Sequence, residues 1–228
     1  MPFGVGDGAF FVEYGANIMK VLLGEKIGMS QLFDAEGRVV PVTMVRALTN
    51  TVLFVRTKEK DGYSALQLGT GTRKASRIKK PQRVHFGDLG NFRHVREFRA
   101  RADKDAATLP ERGGTIDASV FQEGDVVKVS GITKAKGFQG VVKRHGFHGA
   151  PGSHGTKHAH REPGSIGGSG GRAGGRVAKA IKMAGRMGGC RVTIGNLKIV
   201  KVDAAEDLIA VSGAVPGKRG TLLEMRAV

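Results

Sequence analysis

Between Lys134 and Arg191 the chain gathers the residue types that could do chemistry. They are cations, histidines and glycines. The stretch holds 12 Lys or Arg against one acid, Glu162, with 16 of the chain's 36 Gly and five of its seven His. Several chemistries compete for it. His154, His158 and His160, within SHGTKHAH, could hold zinc. Zinc sites usually add a Cys, a carboxylate or an orienting acid, and here only Glu162 is near while Lys157 and Arg161 repel a cation. We therefore expect no metal. Gly168–Ala173 contains G-x-G-x-x-A, but no strand precedes it and no G-K-[ST] accompanies it, so a nucleotide fingerprint is not met. Cys190 and His145 could be nucleophile and base, yet no orienting residue or elbow sequence goes with them. Cys190, beside Gly188-Gly189, is read as a packing residue at a strand start. Ile181, Met183 and Met187 are read as packing anchors of a returning arm. No catalytic residue, cofactor or small-molecule substrate is expected.

Electrostatics remains. Lys134, Lys136, Lys143, Arg144, Lys157, Arg161, Arg172, Arg176, Lys179, Lys182 and Arg186 are placed to neutralise phosphates. His145, His148, His154 and His160 can stack on bases or donate hydrogen bonds. Gly164, in the PGSIG turn, is expected where a backbone approaches too closely for a side chain. The whole chain supports this reading: Lys and Arg number 37 against 20 acids, a formal net charge of +17. Such a balance points to nucleic acid or an anionic surface. No apolar run of 18 or more residues occurs, so no spanning helix is expected. One Cys excludes an intrachain disulfide and favours a reducing compartment. Residues 1–18 carry Asp7 and Glu13 without Lys or Arg, unlike a signal peptide, which leaves the cytoplasm as the expected location. They read as a poorly ordered extension, with Met19 an alternative start.

A cationic, glycine-rich stretch cannot bury enough apolar surface to offset its ordering entropy, so a packed body must hold both its ends. Short Val- and Leu-rich runs supply that body: Lys20–Leu23, Ser30–Phe33, Arg38–Val45, Val52–Thr57, Ala65–Leu68, Asp125–Val129, Arg191–Val202, Leu208–Val211 and Thr221–Met225. Turn signals separate them at Gly24, Asp34–Gly37, Thr49–Asn50, Asp61-Gly62, Gly131, Asp203–Asp207 and Pro216–Gly220. Pro41 predicts an edge or a bulge. Closely spaced strands argue for a small barrel or sandwich. Arg73–Lys104 differs, with 11 Lys or Arg against three acids and Phe86, Phe92 and Phe98 interspersed. We read it as a basic insertion with short helices and a strand near His94–Arg99. Its shared sign and its aromatics favour nucleic-acid contact through Arg73, Lys74, Arg77, Lys79 and Lys80.

At GFQGVVKRHGF, PGSHGTKHAHREPGSIG and KMAGRMGGCRVT, with the opening LLGEKIGMSQLF and closing GAVPGKRG, the chain resembles the bacterial-type family of large ribosomal subunit protein three. The resemblance runs from Met19 to Val228. It implies a mainly β fold: a six-stranded translation-protein-type β-barrel with a basic α/β insertion and a long Gly/Arg-rich, finger-like extension. On that plan the barrel takes residues 19–72, 114–133 and 191–228, the insertion 73–113 and the extended loop 134–190. It further implies direct binding to large-subunit (23S-type) rRNA near its 3′ end, help in nucleating subunit assembly, and a reach toward the peptidyl transferase centre. Implied neighbours are large-subunit proteins fourteen and nineteen, with no membrane partner. Many members carry a Gln shortly after PGSIG that can be methylated. Residues 167–172 read GGSGGR here, so no methylation is expected at that tip.

Overall fold

The computed structural model describes residues 19–100, 109–167 and 177–228. The extension at 1–18 and the loop tip with Arg172 and Arg176 lie outside the described residues. The chain divides into two compact units. One takes the residues up to Gly131 together with Thr193–Val228, and the other is Ile132–Val192.

Six strands make a closed barrel: β1 (Val21–Phe33), β2 (Val39–Ala47), β7 (Val126–Ile132), β10 (Arg191–Asp203), β11 (Leu208–Ser212) and β12 (Leu222–Ala227). Their spatial order is β1–β12–β7–β10–β11–β2, and β2 pairs again with β1. A second, four-stranded sheet runs β5 (Phe92–Arg99), β4 (Ala65–Thr72), β3 (Asn50–Arg56), β6 (Thr115–Ile116). One cluster of buried side chains spans both, uniting Leu22, Val129, Ile209 and Met225 of the barrel with Val52, Leu66, Leu68 and Phe98 of the second sheet. Val21, Leu22 and Leu23 are consecutive and all fully buried, as befits a strand covered on both faces. Asn50 fastens the two sheets. Its side chain accepts from the Leu23 amide and donates to the carbonyls of Leu23 (3.2 Å) and Leu48 (2.6 Å), and both Asn50 and Leu23 are fully buried.

Four expectations need correction here. The runs at Lys20–Leu23 and Ser30–Phe33 are one strand, because Gly24 is not a turn. A Cβ on Gly24 would lie 2.7 Å from Val45 Cγ1 and 2.9 Å from the Arg46 carbonyl oxygen, so glycine is required for close approach of β1 and β2. The register irregularity falls instead between Lys26 and Gly28. Pro41 is in an interior strand with no bulge beside it. It lies one residue beyond the last β11 pair, Val42–Ser212, where its missing N–H is not needed and its carbonyl still accepts from Gly213. β3 and β4, expected in the barrel, pair in the second sheet. Finally, the phenylalanines of the basic insertion, read as favouring nucleic-acid contact, are not displayed on the surface. Phe86 is 4% and Phe98 6% exposed, and Phe92 packs edge-on against Phe86 with ring centroids 5.5 Å apart. They are core residues, and the insertion's sheet needs them for burial.

Turn chemistry follows the sequence more closely. Asp34 Oδ1 accepts from the Glu36 amide, and Asp203 Oδ1 accepts from the Ala205 and Glu206 amides.

Candidate nucleic-acid interface

The Ile132–Val192 unit is zipped at its base by backbone hydrogen bonds. Thr133 N–H donates to Cys190 O (2.9 Å), Lys136 N–H to Met187 O (2.9 Å) and Met187 N–H to Gly137 O (2.9 Å). The strands β8 (Phe138–Gln139) and β9 (Gly185–Arg186) continue this ladder. Gly188 makes it possible: a Cβ there would overlap the Lys134 carbonyl oxygen, and its φ of +71° suits glycine. A short helix, Val141–His145, follows and ends at Gly146 in the left-handed region. Arg144 Nη1 donates to Met183 O at 2.6 Å, and His145 Nε2 lies 3.0 Å from the same oxygen, so both side chains hold the returning arm. Further on, the Thr156 hydroxyl donates to Ser153 O across His154 and Gly155, both at positive φ (60° and 78°). Gly149 meets the chain again: a Cβ there would overlap the His160 carbonyl oxygen.

The unit therefore has a path but almost no apolar core. Val141 is its one buried hydrophobic side chain among the described residues. Lys134, Lys136, Lys143, His148, His154, Lys157, His160, Arg161, Lys179, Lys182 and Arg186 are all exposed, and Arg144 and His145 are partly covered. Glu162 meets His158 at 3.9 Å, too long for a strong pair. Gly164 is exposed with φ +70°, and nothing lies within 4 Å of the place its Cβ would occupy. Within this chain glycine is needed there for backbone conformation, not for close approach. Cys190 is exposed, which corrects its reading as a packing residue. Among the described residues no group of three or more His, Cys, Asp or Glu is arranged to hold a metal ion. No helix among them is long and apolar enough to cross a membrane.

The second basic cluster lies in the other unit. Arg73, Lys74, Arg77, Lys79 and Lys80 are exposed around a 3₁₀ turn, Ala75–Arg77, and the start of the helix Lys80–Phe86. Pro81 in the first turn fits that helix start. Arg83 Nη2 donates to Ala75 O at 2.7 Å and ties turn to helix, while buried Ile78 and Phe86 anchor both against Leu53. His94 lies on β5, in the unit that holds the barrel. Burial first, and then Arg93 and Arg96, hold its pKa below the ordinary histidine value, which disfavours a charged imidazole.

The family model for ribosomal protein L3 matches residues 106–214, a span that contains the whole Ile132–Val192 unit. Relatives match far more of the chain. The large ribosomal subunit protein uL3 of Cutibacterium acnes is 48% identical over 211 residues, 92% of each chain. Those of Thioalkalivibrio sulfidiphilus and Mycolicibacterium gilvum are 45% and 47% identical over 87% and 91% of this chain and 92% and 95% of their own. This chain belongs to the ribosomal protein L3 family. Membership explains why GFQGVVKRHGF and PGSHGTKHAHREPGSIG are more than a low-complexity linker. The sequence of this family member does not announce the close approaches at Gly149 and Gly188 or the fastening by Arg144 and His145. The adjacent pair Gly188-Gly189 is the available signal for one of them. The carbonyls that Gly149, Arg144 and His145 meet are distant in sequence and leave no local mark.

Proposed function

We propose that this chain is a structural constituent of the large ribosomal subunit that binds large-subunit rRNA directly and supports translation without catalysing a reaction. The observation that carries the reading is the Ile132–Val192 unit: a defined backbone path, exposed cations along it, and one buried apolar side chain among its described residues, in a member of the L3 family. A surface so built finds its packing partner outside the protein, and phosphate is the partner its charge selects. Lys134, Lys136, Lys143, Lys157, Arg161, Lys179, Lys182 and Arg186 neutralise backbone phosphates, joined by Arg172 and Arg176. His148, His154 and His160 stack on bases or donate to them. The cluster Arg73, Lys74, Arg77, Lys79 and Lys80 makes a second contact.

The finer reading is that of a translation-protein-type barrel whose finger-like loop threads rRNA toward the peptidyl transferase centre. The protein binds near the rRNA 3′ end, helps to nucleate assembly, and lies beside large-subunit proteins fourteen and nineteen in cytoplasmic ribosomes. A sucrose-gradient profile at low and high salt tests the core of this. Comigration with the large subunit that survives a high-salt wash is expected. Migration at the top of the gradient, or release by moderate salt, would refute a threaded structural role and leave a free RNA-binding chaperone.

A further inference from the structure

Glu162 is the anomaly of the phosphate-binding segment. It is the only acid among 12 cations between Lys134 and Arg191, its side chain is 54% exposed, and its ion contact among the described residues is the loose one to His158. A carboxylate facing closely packed phosphates costs affinity unless it meets hydrogen-bond donors. Glu162 lines an open concavity of about 560 Å³ within the Ile132–Val192 unit, together with Phe147, His148, Pro163, Gly164 and Lys182. This lining combines rings able to stack, one cation and one carboxylate. Gly146, Gly149 and Gly164, all at positive φ, also line it.

We propose that this concavity takes an unpaired guanine nucleotide of the rRNA, with Glu162 accepting from guanine N1–H and N2–H and Lys182 meeting its phosphate. The choice of base follows from donor patterns. A carboxylate has two acceptor oxygens and no donor. Guanine alone presents two adjacent N–H donors on its Watson–Crick edge. Adenine and cytosine each offer one amino group beside an acceptor nitrogen, and uracil offers one N–H between two carbonyls. Those acceptors would face the carboxylate and repel it. RNA-binding proteins read splayed bases in this way, by stacking and by hydrogen bonds to exposed edges.

The inference rests on the rRNA-binding reading, and its test separates the two. Large subunits are assembled with the full-length wild-type chain or with Glu162→Gln, and probed with kethoxal, which attacks guanine N1 and N2, and with dimethyl sulfate, which reports on adenine and cytosine. Gln keeps the volume but offers only one acceptor. One guanine, protected in wild-type subunits, should gain at least about five-fold reactivity in the variant, the lower end of what a bidentate pair contributes to discrimination. Glu162→Asp, which keeps the carboxylate, should restore part of the protection. An unchanged kethoxal pattern, or a change confined to adenines or cytosines, overturns the guanine site while leaving rRNA binding intact. Failure of the wild-type chain to enter subunits refutes the broader reading instead.

Discussion

In the barrel, Val21, Leu22 and Leu23 are consecutive and fully buried, whereas among the described residues between Ile132 and Val192 only Val141 is a buried hydrophobic. The two regions are built on different sources of order. The barrel unit removes apolar surface from water in a shared core, at Val21–Leu23 on both faces of the strand, and that burial stabilises it without a partner. The other unit is held by backbone hydrogen bonds across its base, by Arg144 and His145 on one carbonyl oxygen, and by glycines where strands of chain nearly touch. Such bonds define a route, but each contributes only about 1 kcal/mol net, and on the function proposed above the remaining order comes from the RNA. Stability and RNA affinity should accordingly map to different residues.

The largest test of that separation is Leu22→Ala. It should lower the unfolding free energy of the purified full chain by about 3 kcal/mol, the usual cost of a buried cavity, in chemical denaturation. A loss below about 1 kcal/mol would mean that the barrel core is not what holds the protein together. Asn50→Ala comes next, with an expected loss of about 2 kcal/mol, because the amide of Leu23 and two carbonyls are left without a side-chain partner. Leu22→Ala and Asn50→Ala should leave the salt dependence of RNA binding unchanged.

The reverse behaviour is expected of Lys157→Ala, Arg161→Ala and Lys179→Ala combined. Stability should move by less than about 0.5 kcal/mol for each of the three, since exposed surface substitutions rarely do more. The slope of log affinity against log salt should shrink by about 0.7–0.9 for each phosphate that is no longer neutralised. A triple variant with an unaltered slope would remove these three residues from the interface.

The smallest expected effect concerns pH, and it should appear in the barrel unit. Burial pushes the Asp125 carboxyl up, but hydrogen bonds from Lys20 (2.7 Å) and the Gln122 amide outweigh it and hold its pKa below the ordinary carboxylate value. His94 is likewise held low, by burial and then by Arg93 and Arg96. In both cases the unfolded chain binds the proton more readily, so stability is present above the unfolded value and is lost as pH falls. The His94 contribution fades below about pH 6.5 and the Asp125 contribution below about pH 4. Asp125→Asn should flatten the acid limb of the stability profile only. If the variant's acid limb matched that of the wild type, the Lys20–Asp125 pair would carry no linkage.

Sequence legibility follows the same division. The turns at Asp34–Gly37 and Asp203–Asp207 are readable because an Asp side chain bonds the backbone two or three residues on, a purely local device. The strand near His94–Arg99 is readable from its own pattern and appears as β5. Gly24 passes for a turn in the sequence because the reason for its glycine is Val45, on another strand. Phe86 and Phe98 pass for residues that favour nucleic-acid contact because their packing partners come from other segments.

By itself, then, the sequence determined which segment is cationic, which residue types could meet phosphate, and that a β-rich body must hold that segment at both ends. Charge, glycine content and periodicity are local or additive properties, so no fold is needed to read them. Only the tertiary structure decided that β3 and β4 leave the barrel for a second sheet, that Asn50 joins the two sheets, and that Arg144 and His145 direct their hydrogen bonds to Met183. These depend on partners far apart along the chain, 27 positions for Leu23 and Asn50 and 39 for Arg144 and Met183, and the identity of such a partner is written in no single stretch of sequence.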